Sequence, residues 1–170
     1  TRRPVASTPR NVTVIASLIV ATPFGAMLMK TEDDEISCLS WIAGRKRTHG
    51  SSMRANSPTL LAAQRWLDDY FAGKFRPVDF PLRAEGTHFQ RQVWQAISEI
   101  PLGETLSYGD IAKKIKSGPR AVGNACGTNP IAVAIPCHRV LAAGGRMGGY
   151  SGGNGLETKR ELLQHEGVLR

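Results

Sequence analysis

The chain has 170 residues, 41% hydrophobic and 21% charged, a balance that suits a folded globular protein and excludes a disordered one. With 22 Lys and Arg against 14 Asp and Glu it carries a formal charge of +8 and a pI near 9.9, which favours a polyanionic partner and, most simply, nucleic acid. No apolar run is long enough to span a membrane, and the cysteines at 38, 126 and 137 form no disulfide framework, so a reducing, cytoplasmic setting is expected.

Val12 to Val20, Gly25 to Thr31 and Ile36 to Trp41 predict three short strands, separated by Thr22 to Gly25 and by the acidic turn Glu32 to Glu35. The first run is short and polar at Thr13 and Ser17, which suits a strand and not a signal peptide; the opening Thr1 suggests a processed or trimmed start. Gly44 to Asn56 predicts a basic loop. Ser57-Pro58 then supplies a cap and a first-turn proline, with Leu60, Leu67 and Phe71 at helical spacing up to Gly73. Arg76 to Leu82 predicts one more strand.

The second half changes character. Thr87 and Gln90 form a capping box, followed by the helical stripe Phe89, Val93, Ile97 and Ile100. Ser107, with Asp110 three residues on, caps a second helix that buries Ile111 and Ile115. Ser117-Gly118-Pro119 opens a short third helix, Arg120 to Cys126, made almost wholly of small residues. Two short helices across a tight turn predict a helix-turn-helix, and small side chains let such a helix approach a duplex; a helical hairpin buried in a core fits the pattern equally well. The apolar run Ile131 to Ile135 leads into Ile135-Pro136-Cys137-His138-Arg139-Val140. Gly144 to Gly155 is more than half glycine, as a linker would be, yet it holds Met147 and Tyr150. A last helix begins near Leu156, turns Leu163 inward and ends at Gly167.

Cys137 is the chemical centre of this pattern. Most lone cysteines are inert core residues, but here Pro136 ends the preceding strand and presents the thiol, and His138 adjoins it. Extended neighbours point opposite ways, so His138 needs a kink or a bridging water to reach sulfur. Glu166 is available to orient the imidazole. His49, His88, His138 and His165 lack metal-ligand spacing, so neither metal nor cofactor is expected.

"IPCHRV", preceded by "SYGDIA" and "RAVGNACGTNP" and followed by "GGYSGG" and "LLQHEG", resembles the O6-alkylguanine-DNA alkyltransferases, the methylated-DNA–protein-cysteine methyltransferases of the Ogt type. The resemblance runs in order from Gly86 to Gly167. It extends more loosely upstream through "ATPFG", "YFAG" and "FQRQVW". It implies an α/β (α+β) protein in two domains. Residues 1–84 would form a small ribonuclease H-like domain of antiparallel strands plus a helix. Residues 85–170 would form a mostly helical, winged-helix-like domain with a helix-turn-helix.

The resemblance also implies roles. Cys137 would accept the alkyl group as an irreversible thioether, His138 would deprotonate it through a water, and Glu166 would fix the His138 tautomer. Tyr108 would donate to the leaving guanine. The Ser151 amide would donate to O6, and the Cys137 and Val140 carbonyls would accept from the exocyclic amine. Arg120 would fill the stack behind the flipped nucleotide, with Ala121 and Gly123 on the same recognition helix. Asn129 would brace the acceptor loop, Tyr150 would wall the pocket, and Lys159 would sit at its edge. The implied partner is double-stranded DNA containing O6-alkylguanine, with O4-alkylthymine a further lesion, engaged by a monomer. Two departures stand out: the segment from Tyr108 to Arg120 is shorter than the family usually shows, and Asn154-Gly155 lengthens the approach to Lys159. A turnover thiol hydrolase and a DNA-binding regulator with a buried Cys137 are the rival readings.

Overall fold

A computed structural model of the chain describes residues 13–43 and 57–170. Val12 and the expected basic loop Gly44 to Asn56, with His49, lie outside the described residues.

Strands β1 (Ile15–Thr22), β2 (Gly25–Glu32) and β3 (Glu35–Trp41) form an antiparallel sheet in that order. The β2–β3 hairpin closes on Asp33 and Asp34, with φ of 49° and 62°. Both lie in the left-handed region that two-residue hairpins require and that Asp tolerates. The Asp34 carboxylate accepts from Ser57 Oγ (2.5 Å) and the Thr59 amide (3.3 Å), tying the hairpin to the next helix. That helix, α1 (Pro58–Phe71), is capped by Ser57 and buries Leu60, Ala63, Leu67 and Tyr70 on one face, which packs on the sheet. The strand expected over Arg76 to Leu82 does not form. Pro77 and Pro81 remove two ladder donors, and only Leu82 pairs, as a parallel bridge to Ile36.

Helices α2 (His88–Ser98), α3 (Tyr108–Lys114) and α4 (Pro119–Gly127) make up the second half together with α5 (Leu156–His165). The Thr87/Gln90 capping box is present, and Trp94 Nε1 donates to the Ala125 carbonyl (2.9 Å), locking α2 to α4. Between α3 and α4 the left-handed residue is Lys116 (φ 57°). Gly118 is extended and serves as the α4 N-cap, so the turn is not made by glycine. Two short strands, β4 (Leu106–Ser107) and β5 (Val140–Leu141), pair in parallel and set the start of α3 beside the segment that follows Cys137. Helix α5 ends in a Schellman turn: Gly167 (φ 77°) donates to the Gln164 carbonyl and Val168 to that of Leu163. The C-cap residue of that helix is Glu166.

One buried core runs through both halves, from Met27, Leu39 and Leu67 to Val93, Ile111, Val122 and Leu162. The free edge of β3 supplies the link. Leu39 donates to the Pro130 carbonyl (3.0 Å) and accepts from the Ala132 amide (2.8 Å), so the sheet grips the segment that leads to Cys137. Among the described residues no helix is long and apolar enough to cross a membrane.

Candidate active site

The segment before Cys137 is a folded loop, and Pro136 does not end a strand as expected. Val133 sits at φ 68°, an uncommon conformation for a β-branched residue, and the Ala134 amide donates across it to the Ala132 carbonyl (2.8 Å). Pro136 (φ −83°, ψ 64°) makes a second three-residue turn, closed by the Cys137 amide on the Ile135 carbonyl (2.9 Å). Asn129 braces both. Its Oδ1 accepts from the Ile131 amide (2.9 Å), and its Nδ2 donates to the Ile135 carbonyl (2.8 Å) and to Cys137 Sγ (3.2 Å).

Cys137 to Arg139 then form a single 3-10 turn, which provides the kink that adjacent Cys and His require. His138 is fully buried, and its Nε2 lies 2.8 Å from Glu166 Oε1. Burial raises the Glu166 pKa, but hydrogen bonds from His138 and Arg139 outweigh it and hold the carboxyl down at about 2. An ionised acceptor fixes the tautomer: Nε2 carries the proton and donates, which leaves the lone pair on Nδ1. That Nδ1 is buried and has no hydrogen-bond partner among the described residues. Burial also lowers the His138 pKa, so the ring is a neutral base. The Cys137 thiol is pushed up by burial, opposed by the Asn129 hydrogen bond and the Lys159 charge. It therefore rests protonated.

Glu166 has two further partners that the sequence reading does not assign to it. Arg139 grips both carboxylate oxygens, with Nε on Oε2 (2.8 Å) and Nη2 on Oε1 (2.9 Å), while its Nη1 donates to the Ile100 carbonyl (2.7 Å). Tyr70, from α1, donates its hydroxyl to Oε1 at 2.7 Å. Arg139 is visible inside the motif, but Tyr70 reads as one more apolar position on a helix face.

On its other side Cys137 opens onto a cavity of about 720 Å3, a volume that suits a small-molecule ligand or a single base. Tyr108, Arg120, Gly123, Tyr150, Ser151 and the second thiol, Cys126, line it. Tyr108 stands at the start of α3, half-buried, with its hydroxyl 3.4 Å from the Gly149 carbonyl. Tyr150 accepts from Trp41 Nε1 (3.3 Å), which ties the glycine-rich loop back to β3, and Ser151 Oγ donates to the Gly127 carbonyl (3.2 Å). Arg120 is exposed in the first turn of α4. Ala121, on the same turn, does not reach the cavity.

Lys159 departs from its expected place at the pocket edge. It is fully buried, and Nζ donates to the carbonyls of Val140 (2.6 Å), Met147 (2.5 Å) and Gly149 (3.1 Å), beneath the Tyr108 ring. Burial pulls its pKa down to about 8, and the three carbonyls keep the proton on it at neutral pH. It also occupies the Val140 carbonyl, which the resemblance offers to a substrate amine. Gly148 (φ 64°) shows why this loop is glycine: a Cβ there would lie 3.0 Å from the Tyr108 ring. The longer approach through Asn154-Gly155 is absorbed by a turn in which the Asn154 amide donates to Thr158 Oγ1 (2.9 Å). Among the described residues no group of three His, Cys, Asp or Glu gathers where a metal could bind.

Fold and site together define an α/β protein whose buried thiol, next to a His138–Glu166 pair, faces a cavity beside the short helices α3 and α4. A family model described as the DNA-binding domain of 6-O-methylguanine DNA methyltransferase matches residues 88–168. A methylated-DNA–protein-cysteine methyltransferase of Methanosarcina acetivorans is 41% identical over 152 residues, covering 88% of this chain and 96% of that protein. The constitutive enzyme of that name from Bacillus subtilis is 37% identical over 86% of this chain and 92% of its own. The crystal structure of the Mycobacterium tuberculosis OGT in complex with DNA superposes with a TM-score of 0.74, at 37% identity, covering 89% of this chain and 91% of that one. The chain belongs to the methylated-DNA–protein-cysteine methyltransferase family.

Proposed function

We propose that the protein repairs alkylated double-stranded DNA by moving the alkyl group of O6-alkylguanine onto Cys137, once per molecule. The O6-alkyl carbon lies inside the duplex stack, so the nucleotide must be extruded into the cavity. Arg120, exposed at the cavity mouth in the first turn of α4, fills the gap, with Ala121 and Gly123 giving the helix its close approach. Tyr150 walls the base pocket, and the Ser151 amide donates to O6.

The chemistry runs on the buried side. A water carries the thiol proton to His138 Nδ1, and Glu166 stabilises the resulting imidazolium. Sulfur attacks the alkyl carbon, the carbon–O6 bond breaks, and the electron pair returns to guanine, whose developing charge the Tyr108 hydroxyl neutralises. The thioether has no hydrolytic exit. Asn129 keeps the loop in place, while Lys159 shapes the pocket from below by holding the carbonyls of Val140, Met147 and Gly149. Residues 85–170 form the alkyl-accepting and DNA-binding domain and residues 1–84 its support, acting as a monomer in a reducing cytoplasm.

The observation that carries this reading is the two-sided setting of Cys137: an open, base-sized cavity on one side and the sealed His138–Glu166 pair on the other. Duplex DNA bearing O6-methylguanine tests it. The intact protein is expected to gain the mass of one methyl in place of hydrogen, and Cys137→Ser to gain none. Tight binding with no mass change would leave only a DNA-binding role.

A further inference from the structure

We infer that Tyr70, on helix α1 of the N-terminal half, is a positioning residue of the proton relay that sets how strongly Glu166 pulls on His138. The inference rests on the proposed function, because the relay has no other use. Its geometric basis is independent of it.

Tyr70 is held from two directions by consecutive residues. Its hydroxyl donates to Glu166 Oε1 at 2.7 Å, and its main-chain carbonyl accepts from His165 Nε2 at 2.6 Å. The His165 ring also packs on the Tyr70 ring, centroids 5.2 Å apart. Tyr70 is 4% exposed, and burial with the neighbouring carboxylate drives its pKa upward, so the phenol stays a donor. Oε1 therefore receives three hydrogen bonds, from Tyr70, His138 and Arg139 Nη2.

A carboxylate oxygen shared among three donors gives less of its charge to each. Tyr70 thus competes with His138 for Oε1. It keeps Glu166 ionised and aligned, and it prevents the pair from drawing a proton onto His138 before a substrate arrives. The other charged groups around the pair are fixed. Arg139 lies against Glu166, Lys159 of α5 acts on His138 and Cys137, and both cations lower the His138 pKa while Glu166 raises it. The N-terminal half thereby touches the Glu166–His138 pair through the Tyr70 hydroxyl, in addition to the Leu39 and Trp41 contacts that hold the surrounding loops.

Tyr70→Phe removes that hydroxyl and keeps the ring. With one donor fewer, Oε1 attracts the His138 proton more strongly, and the imidazole pKa rises by about one unit. The base is then protonated over a wider range. Methyl transfer in single-turnover assays is predicted to fall about three- to tenfold on the acid limb and to recover at higher pH. His165→Phe, which loosens Tyr70 from outside the relay, is predicted to move the limb the same way by less. The pKa itself is read by NMR on histidine-labelled protein, without substrate. A lowered melting temperature with an unmoved His138 pKa and an unmoved limb would make Tyr70 a structural residue and overturn the inference. Absence of methyl uptake by the wild-type protein would defeat the proposed function instead, while the NMR shift in Tyr70→Phe would still establish the coupling.

Discussion

The two sides of Cys137 are built on opposite rules. Toward the cavity, Tyr108, Arg120, Gly123 and Ser151 are half-buried or exposed and have few partners, and the Tyr108 hydroxyl reaches the Gly149 carbonyl only at 3.4 Å. Behind the thiol, His138, Glu166, Arg139 and Tyr70 are packed into one network in which each oxygen of Glu166 is used. A wall that must admit and release a base cannot be saturated with internal bonds. A buried histidine held in one tautomer and one orientation gains from a saturated carboxylate partner. Asn129 stands at the seam and is bonded to the thiol itself.

This contrast can be broken in graded ways. Cys137→Ser should abolish the methyl adduct altogether while leaving DNA binding intact, since no relay residue changes. Glu166→Gln should slow transfer by about 10²- to 10⁴-fold in single-turnover rates, because the imidazolium loses its partner. It should also cost about 3–5 kcal/mol of stability in denaturant titration, because Arg139 is left facing no charge. Arg120→Ala should reduce repair of duplex DNA by about 10- to 100-fold, the scale of the cost of unstacking a base, and hardly change reaction with free O6-benzylguanine. Equal losses on both substrates would remove Arg120 from the extrusion step.

Acid should loosen the sealed side. The folded value of Glu166, about 2, lies below its ordinary 4.5, so its contribution to stability is complete above about pH 4.5 and is lost as pH falls toward 2. The shift corresponds to roughly 3 kcal/mol. His138, kept neutral by burial, adds to the same trend below its ordinary 6.5. Unfolding free energies measured across this range should decline less in Glu166→Gln than in the wild type. The smallest expected effect lies outside both sides. Thr87→Ala removes the cap of α2 and should cost about 1 kcal/mol with no change in transfer rate.

The cavity side was largely legible in the sequence, because its residues sit in contiguous motifs: Tyr108 in "SYGDIA", Arg120 in "RAVG", Tyr150 and Ser151 in "GGYSGG". The sealed side was legible only in part. His138 adjoins the thiol, but Tyr70 lies far upstream on a helix whose apolar spacing hides its single polar contact, and no local pattern marks it. The Lys159 charge was readable and its burial was not, since three main-chain carbonyls from a glycine-rich loop leave no side-chain signature. The strand expected over Arg76 to Leu82 failed for a local reason, the two prolines. The segment before Cys137 failed as a strand for a tertiary one, since Asn129 and the β3 edge fold it into consecutive tight turns.

The most direct test of a sealed relay behind an open acceptor is peptide mapping after one exposure to excess O6-methylguanine duplex, compared between wild type and Cys126→Ser. Both proteins should carry a single methyl group, on Cys137 alone, and take up no more with further DNA. Methyl on Cys126, which shares the cavity wall but has its thiol pushed up to about 12 by burial, or continued turnover, would contradict the account.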